Sequence, residues 1–240
     1  PVLPSHTQVS RDPRMAWVDR LLSDEECDEM IASAQRKGLH QSAVASLRDQ
    51  TTEAASESDL KLLRGVSAGR TSSSCRVDRS LPIVATAVLR VAHLVGMSPY
   101  CSEGVQVVHY AAGQKYDAHN DWFQPDTPYY HEKIKDRGNR IVSVLCYLSD
   151  VPPTAGGATH FPLLGLRFLP RRGCALLWYN QRVDGDMDGR VLHAGEPVSS
   201  EGDKWGMNIW MRERPAPSDI KLHPPGPSQS ESPSTGNLKP

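Results

Sequence analysis

The stretch IVSVLCYL at residues 141–148 decides the fold class. It is dense in β-branched and aromatic side chains, which suit a pleated, packed surface. Three more runs share that texture: GVQVVHY at 104–110, CALLWY at 174–179 and WGMNIWMR at 205–212. Pro152-Pro153, Gly156-Gly157 and Asp184-Gly185 are turn signals between them. The second half of the chain is therefore expected to be a set of short strands.

Working back from these strands, the texture turns helical. Ser23 with Glu26 three residues later forms a capping-box signature, Cys27, Met30, Ile31 and Ala34 follow helical spacing, and Gly38 offers a stop. A second helix is expected to start near Ser80, with Pro82 in its first turn, one apolar face through Ile83, Val84, Ala87, Val88, Val91 and Val95, and Gly96 at its end. The polar stretch between, residues 41–79, reads as loops around short strands, with its last ten residues expected to form a lid. Helices followed by many short strands predict an α+β fold whose strands close into a sandwich or jelly roll. Residues 1–214 make one domain. Residues 215–240 hold seven prolines and almost no large apolar side chain, so they read as a disordered or extended tail.

Composition narrows the function. Lys and Arg number 27 against 28 Asp and Glu, giving a net charge of −1 with no long basic stripe, which argues against nucleic acid as partner. No apolar run approaches a bilayer span. None of the five cysteines forms a C-x-x-C pair; Cys27, Cys146 and Cys174 read as core residues, while Cys75 and Cys101 lie in polar surroundings where a bridge is open.

Chemistry concentrates at His119-Asn120-Asp121. On an extended backbone the imidazole and carboxylate leave from the same face. With His193 they form a two-His, one-carboxylate set that leaves coordination positions open, the arrangement of non-heme Fe(II) oxygenases. Zinc accepts the same donors, so a zinc hydrolase stays open at this level, although no H-E-x-x-H motif supplies a base. Eleven residues after His193 stands Lys204, heading a strand otherwise read as core. It either points to solvent or meets an anion, such as the far carboxylate of an iron-chelating dicarboxylate.

The segments Tyr-x-x-Gly-Gln-x-Tyr-x-x-His-x-Asp at 110–121, Gly-Gly-x-Thr-x-Phe-Pro at 156–162 and Leu-His-Ala-Gly-x-Pro-Val with Gly-x-Lys-Trp and a further Trp at 192–210 together resemble prolyl 4-hydroxylases. The resemblance runs in order from about residue 17 to 212. It implies a double-stranded β-helix with N-terminal helices packed on it. It implies Fe(II) held by His119, Asp121 and His193, and 2-oxoglutarate held by Lys204, Tyr110 and Thr159. Arg140 and Trp210 match positions lining the peptide channel. The implied reaction hydroxylates peptidyl proline at C4, consuming O2 and releasing succinate and CO2, with L-ascorbate as accessory. The family also implies a secretory compartment, although a cytosolic one stays open. An oxygenase acting on lysine or a small molecule and a non-catalytic binding module remain as alternatives. The Pro-rich tail is itself an expected candidate for the peptide groove.

Three departures stand out. The spacing from His193 to Lys204 is one residue longer than is usual, Asn208 replaces a small hydroxyl residue, and residues 124–139 form a polar, insertion-like loop. His160 and His109 fall outside the ligand pattern and read as ordinary strand residues.

Overall fold

The structure, a computed structural model, describes residues 4–42, 69–127 and 130–215. Most of the polar stretch after residue 42, and the tail beyond residue 215, lie outside the described residues. Among the described residues, twelve strands form two antiparallel sheets. The large one has the order β1 (His6–Arg11), β2 (Arg14–Val18), β10 (Ala175–Tyr179), β7 (Arg140–Tyr147), β12 (Lys204–Arg212), β5 (Gln106–Tyr110), β4 (Ser73–Arg76), β3 (His40–Gln41). The small one has the order β6 (Tyr116–His119), β11 (His193–Gly195), β8 (Thr159–Phe161), β9 (Leu166–Phe168). This is the jelly-roll arrangement of mainly antiparallel sheet.

The four strands expected from texture form the centre of the large sheet, with β1–β2 and β4–β3 as its flanks. The alternation along them sets which side chains meet which layer. Val142, Val144 and Cys146 of β7, Ala175 and Leu177 of β10, and Trp205, Met207, Ile209 and Met211 of β12 enter one core cluster. That cluster also contains Cys27, Met30 and Ala34 of helix α1 (Asp24–Lys37), and Ile83, Val84, Ala87, Val88 and Val91 of helix α2 (Pro82–Val95). Residues of opposite parity face the small sheet. β7 is apolar along nearly its whole length because both of its faces are covered.

The capping box at α1 is complete: Ser23 Oγ accepts from the Glu26 N–H, and Glu26 Oε2 accepts from the Ser23 N–H. Glu26 also receives both terminal nitrogens of Arg90 at 2.6 and 3.0 Å, which ties α1 to α2. The cap of α2 is Leu81 rather than Ser80, with no side-chain hydrogen bond. Pro82 needs no N–H partner in the first turn, so the helix starts without one.

Three points go beyond the sequence reading or correct it. A hairpin, β1–β2, precedes the first helix and flanks the large sheet; β1 is largely polar, and the apolar run of β2 is too short to mark a strand by period. Ser73–Arg76, expected within a lid, pairs instead with β5 as β4. Cys75 and Cys101 lie in the helix-side core, and all five thiols are free. Cys75 donates to the Ala34 carbonyl at 3.8 Å, and burial pushes its thiol pKa up.

Candidate active site

The site-facing parity gathers the chemistry. On β12 it presents Lys204, Asn208, Trp210 and Arg212; on β5, Gln106, Val108 and Tyr110; on β7, Ser143, Leu145 and Tyr147. Lys204 lies opposite Tyr110 in the ladder, and Trp210 opposite Ser143. The space between the two sheets is a cavity of about 780 Å³.

Across it, His193 of β11 and His119 of β6 are antiparallel partners, so their rings are cross-strand neighbours with centroids 4.4 Å apart. β6 ends at His119, and Asp121 is carried by the following bend rather than by the extended strand. It still converges: its two oxygens lie 3.8 Å from His119 Nε2 and 3.8 Å from His193 Nε2. One donor atom from each of the three lies within 4.8 Å of the others. His119 Nδ1 sits 2.9 Å from the Asp117 carbonyl and His193 Nδ1 3.0 Å from the Val191 carbonyl. A carbonyl only accepts, so each Nδ1 carries the proton and each Nε2 offers a lone pair inward. Burial, with His193 beside it, holds the His119 pKa far below its usual value. Burial alone would raise the Asp121 pKa, but the imidazoles, Arg140 and Ser143 lower it. Two neutral imidazoles and a carboxylate are donors that fit a divalent metal, Fe(II) included.

A relay behind the carboxylate was not evident from sequence. Ser143 Oγ donates to Asp121 Oδ2 at 2.6 Å, and Asn180 Nδ2 donates to Ser143 Oγ at 2.9 Å. This pins the carboxylate's rotation. Ser143→Ala is expected to weaken Fe(II) binding roughly 10–100-fold with the fold retained, read by anaerobic metal titration. An unchanged affinity would leave Ser143 with a packing role only.

At the other end of the cavity, Lys204 is buried. Its Nζ donates to the Gly157 carbonyl at 2.7 Å and lies 5.1 Å from the Tyr110 ring centroid. No carboxylate pairs with it among the described residues. Burial therefore lowers its pKa to about 8, with distant Glu196 opposing. The extra residue after His193 is taken up in a turn closed by the Gly202 N–H on the Ser199 carbonyl, so Lys204 still points inward. Thr159 is buried and accepts from the Tyr147 hydroxyl at 2.9 Å. The Trp178 indole N–H, on the cavity wall beside His193, has no acceptor among the described residues. A buried cation without an anion and an orphaned donor fit a cavity built for a polar, anionic molecule.

Arg140 and Trp210 stack, guanidinium to indole centroid 4.0 Å. Arg140 donates twice to Glu103, from Nε at 2.7 Å and from Nη2 at 2.8 Å, and once to the Asp121 carbonyl. Arg212 adds a third bond to Glu103 at 3.0 Å. Burial would raise the Glu103 carboxyl, but Arg140, Arg212 and Arg76 hold it down at about 2. Its contribution to stability is thus complete above pH 4.5 and is lost as pH falls toward 2. Glu103→Gln should cost about 3 kcal/mol at pH 7 and flatten the acid limb of the stability curve. An unchanged acid limb in thermal melts between pH 2 and 6 would contradict this. His160 pairs with Glu196 at 3.5 Å, away from the triad, and His109 pairs with Asp203 and stacks on Trp205 on the far face of the sheet. Residues 124–139 are not plain loop, since they contain the short helix α3 (Tyr130–Ile134).

A jelly roll with this triad defines a class, the Fe(II)- and 2-oxoglutarate-dependent oxygenases, and the 2OG-Fe(II) oxygenase superfamily model matches residues 105–212. Within it, the chain is 33% identical over 226 residues to Probable prolyl 4-hydroxylase 6 of Arabidopsis thaliana, covering 87% of this chain and 72% of that protein. The chain belongs to the prolyl 4-hydroxylase family. It is also 38% identical over 133 residues to human Prolyl 4-hydroxylase subunit alpha-1, 55% of this chain but only 24% of that subunit, so it spans about a quarter of the animal alpha-1 subunits it matches. The viral collagen prolyl hydroxylase of Paramecium Bursaria Chlorella virus-1, in complex with 2OG, shares the fold with TM-score 0.61 and 24% identity over 82% of this chain and 95% of that one. The family uses Fe(II), 2-oxoglutarate and O2, which sets aside the zinc-hydrolase reading. No helix among the described residues is long and apolar enough to cross a membrane.

Proposed function

We propose that this chain hydroxylates peptidyl proline at C4, coupled to conversion of 2-oxoglutarate and O2 into succinate and CO2. The observation that carries the proposal is the convergence of His119, Asp121 and His193 on the same cavity as Lys204, which is buried and has no carboxylate partner among the described residues. Fe(II) with 2-oxoglutarate supplies the oxidising power for the C–H bond when bound. The chain's own residues do the rest.

His119 and His193 present Nε2 lone pairs, and Asp121 balances one positive charge. Lys204 takes the distal carboxylate of the co-substrate as a charge-assisted pair, with Tyr110 donating its hydroxyl and Thr159 lining the wall. Val108 and Leu145 keep water away from the reacting centre. Arg140 and Trp210 form a flat stacked wall along which an extended peptide brings its proline to the metal side. L-ascorbate would serve to keep the iron reduced. The closing test is a panel of proline, lysine and small-molecule substrates incubated with Fe(II), 2-oxoglutarate and ascorbate. Mass spectrometry should find oxygen added to proline C4 with succinate in equal amount. Oxygen added to lysine, or succinate released without a proline peptide, would overturn the reading.

A further inference from the structure

Three arginines converge on one carboxylate at the cavity wall. Arg140, Arg212 and Arg76 lie 2.7, 3.0 and 3.8 Å from Glu103. One anion cannot neutralise three guanidiniums, and two further charges that act on the cluster, Glu213 and Arg137, offset one another, so two positive charges remain. Arg140 and Arg212 are largely buried, whereas Arg76 is half exposed and leads outward. Besides Glu103 and Asp121, no acidic side chain lines the cavity among the described residues. Arg70 is a further cation on that lining.

The surplus survives loading of the site. A divalent ion, the Asp121 carboxylate, a dicarboxylate co-substrate and the Lys204 ammonium cancel among themselves. The excess around Glu103 is untouched by that balance. It is also local, since the whole chain carries −1. Uncompensated charge at a partly desolvated wall favours a ligand that brings the missing anion.

We infer that the peptide taken by this site carries an acidic residue beside its target proline, and that the arginine cluster around Glu103 selects it. The inference rests on the proline-peptide reading above. Gln106, Asn208 and Trp210 flank the cluster, so the acidic side chain has polar and aromatic company rather than a bare ion.

The test uses the full chain and three peptides that differ only in the residues flanking one proline: Asp, Asn or Lys. Two constants are measured for each. One is KM from succinate release with Fe(II). The other is Kd by fluorescence anisotropy with Mn(II) and 2-oxoglutarate, which needs no turnover. The Asp peptide should bind about tenfold tighter than the Asn peptide, and the Lys peptide weaker still. Arg76→Gln should narrow the Asp-to-Lys ratio, and added salt should narrow it too. The same order in Kd without succinate release would uphold the charge selection while defeating the hydroxylation reading. Turnover with equal constants, or with the Lys peptide tightest, would overturn the charge selection alone. No binding and no turnover of any peptide would overturn both.

Discussion

His119→Ala, Asp121→Ala and His193→Ala should each abolish succinate release, and with it any change to a peptide. The three donors lie within 4.8 Å of one another, and each imidazole is already set by a backbone carbonyl to offer Nε2. Removing one donor leaves a two-ligand site too weak to hold a reactive Fe(II). The loss should appear in metal titration as well as in turnover. Unchanged far-UV circular dichroism would separate lost chemistry from a lost fold. Asp121→Asn is the sharper variant, because it keeps the shape and the Ser143 contact while removing the charge. Full activity in any of the four would defeat the metal assignment.

Lys204→Ala should raise KM for 2-oxoglutarate by roughly 10- to 150-fold, the equivalent of a charge-assisted bond of about 1.5–3 kcal/mol. KM for peptide should move far less. Lys204→Arg should rescue only in part, because a planar fork does not fit where an ammonium sits between Gly157 and Tyr110. The same residue makes a second, opposite demand. Its pKa falls from 10.5 to about 8 in the folded chain. The folded state therefore loses the proton before the unfolded state does. The resulting cost, about 3 kcal/mol, is fully present below pH 8 and fades as pH rises toward 10.5. Lys204→Met should thus stabilise the ligand-free protein at pH 7 while weakening 2-oxoglutarate binding. In the wild type, KM for 2-oxoglutarate should rise as pH passes about 8. A flat profile from pH 7 to 9.5, or a Lys204→Met variant less stable than wild type, would contradict the role.

Much of this site could be read in the sequence because it follows strand alternation. Trp205, Met207, Ile209 and Met211 are apolar, so Lys204, Asn208, Trp210 and Arg212 had to share the other face. That pattern would also have singled out Arg212, which reads like an ordinary strand-end cation. The His-x-Asp pair and the capping box were legible for the same reason, being short-range geometry. What escaped depends on partners distant in sequence. Glu103 meets Arg212 across 109 positions and Arg140 across 37, and nothing local marks it as a buried anion. Ser143 looks like a polar interruption in an apolar strand until Asp121 is placed against it. Cys75 and Cys101 sit among polar neighbours in sequence, yet both pack into the helix-side core, Cys75 because β4 joins the sheet beside β5 and Cys101 from the short turn after α2. β1 was hidden because an edge strand needs little apolar surface, and β2 because its apolar run is too short to set a period.

The central claim, oxidation of proline C4 coupled to 2-oxoglutarate, is tested most directly by isotope. A proline peptide is incubated with the chain, Fe(II) and 2-oxoglutarate under 18O2, and both products are weighed. The account predicts one heavy oxygen on proline C4, the other in succinate, and one succinate per hydroxyproline. Heavy oxygen absent from the peptide, oxygen drawn from water alone, or hydroxylation at any other residue would contradict it.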